Sequence, residues 1–163
     1  MSDTAPIIIF CYRRRIDKLI ESLLNNKEAS ISNLYIFSDG YKSDLDKEDI
    51  RDLRRSIRRI KGFKSISIFV SNFKKGLADS IIQGTTSVIN KYGKAIILED
   101  DLITSKYFLD LMNKSLNLYK NNRNIWSVSG YSPPLNYLKD YEKEVYLSLR
   151  CSSWEVGNLG RSM

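Results

Sequence analysis

Residues 6–11, PIIIFC, form a short unbroken apolar run, and no other feature restricts the fold of this chain as strongly. A strand with one wet face alternates apolar and polar side chains. A strand apolar at every position has both faces covered, as in a parallel sheet packed between helices. Similar runs recur at 34–37 (LYIF) and 95–98 (AIIL), and 65–70 (SISIFV) adds a β-branched alternation.

The intervening segments switch to helical spacing. Ile16, Leu19, Ile20, Leu23 and Leu24 predict a first helix. Ile50, Leu53, Ile57 and Ile60 predict a second, capped at Ser43 and led by Asp44, Asp46 and Glu48. Residues 77–89 predict a third helix. Tyr107, Phe108, Leu111, Met112, Leu116 and Tyr119 predict a fourth, with Thr104 and Ser105 as its caps, and 125–129 a fifth strand. Strand and helix in alternation imply an α/β fold: a mostly parallel sheet with helices on both faces, Rossmann-like in plan. Residues 1–132 carry this pattern. Residues 133–163 are expected to begin a different region, with a loop at Pro133 and Pro134, an antiparallel strand at 145–149, and little periodicity afterwards.

A chain of 163 residues with 42% apolar and 28% charged content has enough material for one packed core. Its net charge of +7 favours anionic partners: nucleotides, nucleic acid or an anionic membrane face. Histidine is absent, which removes Ser-His-Asp triads, Cys-His dyads and histidine-ligated zinc from consideration and leaves metal chemistry to carboxylates. Cys11 and Cys151 form neither a C-x-x-C pair nor a disulfide framework, which suits inert thiols in a reducing cytoplasm. No secretory signal or membrane-spanning run is visible, so a cytoplasmic protein is expected, with any membrane role peripheral at the inner face.

Ligands of open parallel sheets bind beyond the carboxyl ends of the strands. There the first predicted strand runs into Tyr12, Arg13, Arg14 and Arg15, the second into Ser38, Asp39 and Gly40, and the fourth into Glu99, Asp100 and Asp101. Three adjacent carboxylates repel one another by about 1 kcal/mol per close pair even in water, so a cation or hydrogen-bond donors must offset the charge. Carboxylate oxygens suit hard cations, and Mg²⁺ commonly takes one or two carboxylates together with substrate phosphates. The alternative for the triplet is the start of a solvated loop or a helix cap. For Arg13 it is membership of a solvated basic run, and for Asp39 a turn-forming Asp-Gly.

The segment ILEDDLITSKYFLDLMNKSLNLY, followed by NIWSVSGY, resembles the nucleotide-sugar-binding half of GT-A glycosyltransferases. Within these it is most similar to the N-acetylglucosaminyltransferase I type and to bacterial polysaccharide-cluster sugar transferases with the same acidic motif. The resemblance covers roughly residues 5–132 and takes Glu-Asp-Asp as a variant of Asp-x-Asp. It implies that Asp101 ligates Mn²⁺ or Mg²⁺ on the donor's diphosphate, that Asp100 faces the ribose, and that Glu99 lies near the ribose or the transferred sugar. It further implies that Arg13 contacts base or phosphate and that Asp39 reads the uracil edge. In the Asn72-to-Ala78 loop, Lys74 or Lys75 would meet phosphate, with Gly76 admitting close backbone approach.

The activity so implied is transfer of a sugar from a nucleotide-sugar donor, expected to be UDP-linked, to a cell-surface glycan or lipid-linked glycan acceptor. Family members continue past a Ser-Ser-Trp segment. Here Ser152, Ser153 and Trp154 are present, but 155–163 departs from the family pattern. The chain is therefore expected to be truncated and to have lost the catalytic base, with Glu155 the remaining acid. No catalytic residue is assigned, and a donor-binding protein without transfer activity stays open, with self-association through exposed apolar surface. The basic stretch 51–64 (RDLRRSIRRIKGFK) reads as a solvated helix face or a contact for anionic lipid. A nucleic-acid-binding α/β domain is the remaining alternative, disfavoured because aromatics interleave poorly with those bases.

Overall fold

The computed structural model describes residues 4–134, 141–143, 145–149 and 156–158. The expected α/β fold is what it shows. In chain order the elements are β1 (Ile7–Cys11), α1 (Asp17–Leu24), β2 (Asn33–Ser38), α2 (Lys47–Ile57), β3 (Ser65–Val70), α3 (Leu77–Tyr92), β4 (Ala95–Glu99), α4 (Phe108–Tyr119), β5 (Ser127–Ser129) and β6 (Val156–Asn158). The six strands form one sheet in the order β3-β2-β1-β4-β6-β5. The first four are mutually parallel. β6 runs antiparallel between β4 and β5, which places β5 parallel to β4 with a strand interposed.

The unbroken apolar run of β1 is explained by its position, since β1 is flanked by β2 and β4 and buried along its whole length. One face of the sheet, with Ile7, Ile9, Leu34, Ile36, Ile96 and Leu98, packs under α1, α2 and α4 through Leu19, Leu23, Leu53, Ile57, Met112 and Leu116. The other face, with Ile8, Phe10, Tyr35 and Ile97, packs under α3 through Ile81, Val88 and Ile89. Phe10, Phe37 and Phe69 stack across β1, β2 and β3 at centroid distances of 5.3 and 4.8 Å, and Gly84 lets α3 settle on that stack.

Three local expectations are corrected. Residues 145–149 form no strand; the antiparallel strand is β6, further along the chain. The helix expected to start behind Ser43 opens with a 3-10 turn, Asp44–Asp46, before α2. Thr104 and Ser105 do not cap α4 with their side chains. Thr104 Oγ1 instead meets Ser22 Oγ at 3.1 Å, and the N-terminal N–H of Leu109 is taken by Asn26 Oδ1 at 3.0 Å from the far end of α1. Residues 152–155, with the Ser-Ser-Trp segment and Glu155, and Cys151 lie outside the described residues.

No helix among the described residues is long and apolar enough to cross a membrane. Cys11 is buried, donates to the Phe37 carbonyl at 3.6 Å, and has its thiol pushed up to about 12 by burial and by Asp100. The expected inertness of that thiol follows.

Candidate functional site at the carboxyl ends of β1 and β4

From β1 the chain moves outward to β2 and β3, then crosses back to enter β4 on the opposite side of β1. The strand order therefore reverses between β1 and β4, and in sheets of this order the ligand crevice lies beyond the carboxyl ends of the two strands. This is the topological switch point at which open α/β sheets bind ligands. Tyr12, Arg13 and Arg14 leave β1 on one lip, and Glu99, Asp100 and Asp101 leave β4 on the other, with Glu99 in register with Phe10.

Arg14 joins the two lips. Its Nη1 lies 2.9 Å from Asp101 Oδ2 and 4.0 Å from Asp100 Oδ1. The backbone N–H of Tyr12 also favours the ionised form of Asp100. These donors do not fully offset the environment. Burial, and then repulsion from Asp101, raise the Asp100 carboxyl above the ordinary aspartate range. Glu99 is raised above the glutamate range by burial first, then by Asp101 and Asp100. The repulsion expected from three consecutive acids is thus present in the folded chain.

Lys74 places its Nζ 4.1 Å from the centre of the Tyr12 ring. The cation on the acidic triplet is Arg14. Arg13, the residue expected to contact base or phosphate, turns the other way: Nη1 lies 3.0 Å from Asp46 Oδ1 and Nη2 2.8 Å from Asp49 Oδ2. Asp46 is a hub that accepts from Tyr12 Oη at 2.8 Å and from the N–H groups of Lys42 and Ser43 at 3.1 Å. The Tyr12 hydrogen bond leads the interactions holding its carboxyl below the usual aspartate range.

Asp39 is engaged with backbone. Its Oδ1 accepts from Gly40 N at 2.8 Å and Lys75 N at 2.9 Å, and its Oδ2 from Gly76 N at 3.1 Å. It pins the loop that opens α3. Lys75 contributes that backbone N–H, while its ammonium lies 3.4 Å from Gln83 Oε1. Gly76 has φ +97°, and a Cβ there would touch nothing of the chain within 4 Å, so within the fold glycine is required for its backbone angle. The close approach is at Gly40, against the backbone of Phe73. Arg54, read from sequence as part of a basic face, donates to Ser71 O at 2.6 Å and Asp39 O at 3.1 Å and ties the ends of β2 and β3 together.

Among the described residues no three His, Cys, Asp or Glu side chains converge as a metal cage. The donors that do adjoin, the carboxylates of Asp100 and Asp101, fit a hard cation whose remaining positions are filled by phosphate and water. Arg14 and Asp46 are the residues that sequence reasoning passed over. Arg14 stood in the same Arg-Arg-Arg run as Arg13, and nothing in the one-dimensional pattern distinguishes them. Asp46 looked like an ordinary helix-start acid. Compared with known protein families and curated proteins, the chain matches no family model and no curated sequence.

Proposed function

We propose that this chain is the donor-binding domain of a glycosyltransferase. It would take a nucleoside diphosphate sugar, UDP-linked, at the β1/β4 switch point and deliver the sugar to a cell-surface glycan or lipid-linked acceptor. The observation that carries the reading is the Arg14–Asp101 contact, which brings a guanidinium and the acidic triplet together across the switch-point crevice. The resemblance of 97–119 to GT-A transferases supplies the reaction class.

Asp101, with Asp100 beside it, would hold Mn²⁺ or Mg²⁺. The bound cation would offset the charge developing on the departing nucleoside diphosphate. Arg14, on Asp101, and Lys74, over the Tyr12 ring, are two further cations that would stabilise diphosphate oxygens. Glu99, whose carboxyl is raised by burial and then by its acidic neighbours, is suited to share a hydrogen bond with a donor hydroxyl. Asp39 would act by holding the Lys75–Gly76 backbone in place rather than by direct contact.

Titration calorimetry with UDP, with and without Mn²⁺, tests the reading. Binding that requires the metal and is lost in Asp101→Ala is expected. UDP binding indifferent to chelator and to Asp101→Ala, or no binding at all, overturns it. Hydrolysis or transfer of the donor sugar by the chain separates a working transferase from a donor-binding protein without activity.

A further inference from the structure

Among the described residues the arginine–carboxylate pairs gather mostly at one end of the strands. At the carboxyl edge most arginines are paired: Arg13 with Asp46 and Asp49, Arg14 with Asp101, and Arg15 with Asp17. At the opposite edge, where the strands begin, Lys27, Arg58, Arg59, Lys61, Lys64 and Arg123 are all exposed, and among the described residues none makes an ion pair. They come from three connections, α1 to β2, α2 to β3 and α4 to β5, which converge there. The Lys64 N–H bonds to Ser32 O at 3.0 Å, and Gly62 abuts Leu24 at the end of α1.

The same edge exposes Leu24, Ile31 and Leu118, by 41, 48 and 72%. Cations interspersed with protruding aliphatic side chains match the headgroup and upper acyl zone of a lipid surface. Nucleic acid has no use for such aliphatics, and the exposed indole of Trp126 just before β5 suits the same lipid interface.

We propose that the strand-start edge of the sheet docks on an anionic phospholipid surface, leaving the β1/β4 crevice facing away from it. β2 is six residues long, so the two rims lie about 20 Å apart. That is about two Debye lengths at physiological salt, and the acidic triplet is therefore screened from the lipid charge. This orientation does not depend on what the crevice binds.

Sedimentation of the full chain with vesicles tests it, comparing phosphatidylcholine vesicles containing a third phosphatidylglycerol with pure phosphatidylcholine. Binding is expected only to the anionic vesicles and is expected to fall with salt. The triple variant Arg58→Gln, Arg59→Gln, Lys64→Gln should bind about a hundredfold more weakly, at about fivefold per charge. The matched triple variant Lys18→Gln, Lys42→Gln, Lys106→Gln, which removes the same charge at the other edge, should bind as the parent does. Equal binding to neutral vesicles, equal loss in both triple variants, or displacement from anionic vesicles by a stoichiometric DNA oligonucleotide overturns the proposal. Circular dichroism of both variants establishes that loss of binding is not loss of fold.

Discussion

Gly40→Ala exposes how the rim is built. A Cβ at position 40 would stand 2.3 Å from the Phe73 carbonyl carbon, 2.4 Å from its oxygen and 2.5 Å from its Cα. Ordinary contact begins at 3.4 Å, so residues 71–76 must retreat by about 1 Å. All three neighbours are backbone, and no rotamer change relieves the clash. The retreat stretches the 2.9 and 3.1 Å bonds from Lys75 N and Gly76 N to Asp39 past useful length. Hydrogen bonds to a charged acceptor contribute about 1.5–3 kcal/mol each, and the partial exposure of this loop puts these at the lower end. The expected loss is about 3 kcal/mol, or about 6–12 °C in Tm for a chain of this size. Guanidinium and thermal unfolding followed by circular dichroism measure it, with an unchanged denaturant slope expected if only stability moves. Asp39→Asn leaves one acceptor oxygen and aims an amide at a backbone donor, so it should lose about 1–2 kcal/mol by the same route. Because both substitutions release one loop, the double variant should lose less than the sum of the two. A Gly40→Ala protein within about 2 °C of the parent, or strict additivity, refutes this account. A normal Tm for Asp39→Asn with weakened UDP affinity would return Asp39 to a ligand-reading role.

Asn26→Ala removes the buried amide that accepts from Leu109 N and donates to Ser22 O and Ser105 O, and should cost about 2–3 kcal/mol; a loss below about 0.5 kcal/mol refutes the long-range cap. At Gly84 an added Cβ would lie 2.8 Å from Phe10 Cε1 and 3.2 Å from Phe37 Cε1. Gly84→Ala should therefore lose about 1 kcal/mol net, overpacking outweighing the gain in helix propensity, with an altered near-ultraviolet aromatic signal. Glu99 and Asp100 hold their protons more tightly folded than unfolded. Stability should thus fall as pH rises from the ordinary carboxylate range near 4 through their raised folded values, then level off. Asp46, depressed in the folded state, works oppositely: its contribution is present above the ordinary range and is lost as pH falls through its folded value. Unfolding midpoints in Glu99→Gln and Asp46→Asn across pH 3–7 check both signs, and a Glu99→Gln profile identical to the parent's refutes the first.

How much of this was legible in the sequence follows from which signals are local. β1 to β4 and the helices between them were readable because burial on both faces writes continuous apolar runs, and single-face burial writes helical stripes, wherever the partner happens to be. β6 was not readable. Val156–Asn158 is three residues long and is a strand only because β4 and β5 leave a slot between them. The cap of α4 was missed for the same reason, since Asn26 lies 83 residues from Leu109.

At the rim, residue type and strand end picked out groups that the fold does place on neighbouring strand ends, but the division of labour among neighbouring like residues is decided by angles of a few side chains. Arg13 and Arg14 are adjacent and alike, yet helix α2 draws one to Asp46 and Asp49 while the crevice draws the other to Asp101. Asp39 and Arg54 direct their charged groups to backbone rather than to the acidic triplet. What remains is Glu99, Asp100 and Asp101 against the single guanidinium of Arg14. With all three ionised, that leaves an excess of two negative charges, which adds to burial in raising the carboxyls of Glu99 and Asp100. A divalent cation carries the opposite of that excess. On the proposed reading, a diphosphate carried by that cation would offer Arg14 a stronger partner than a lone carboxylate, and the Arg14–Asp101 contact would become available to the ligand.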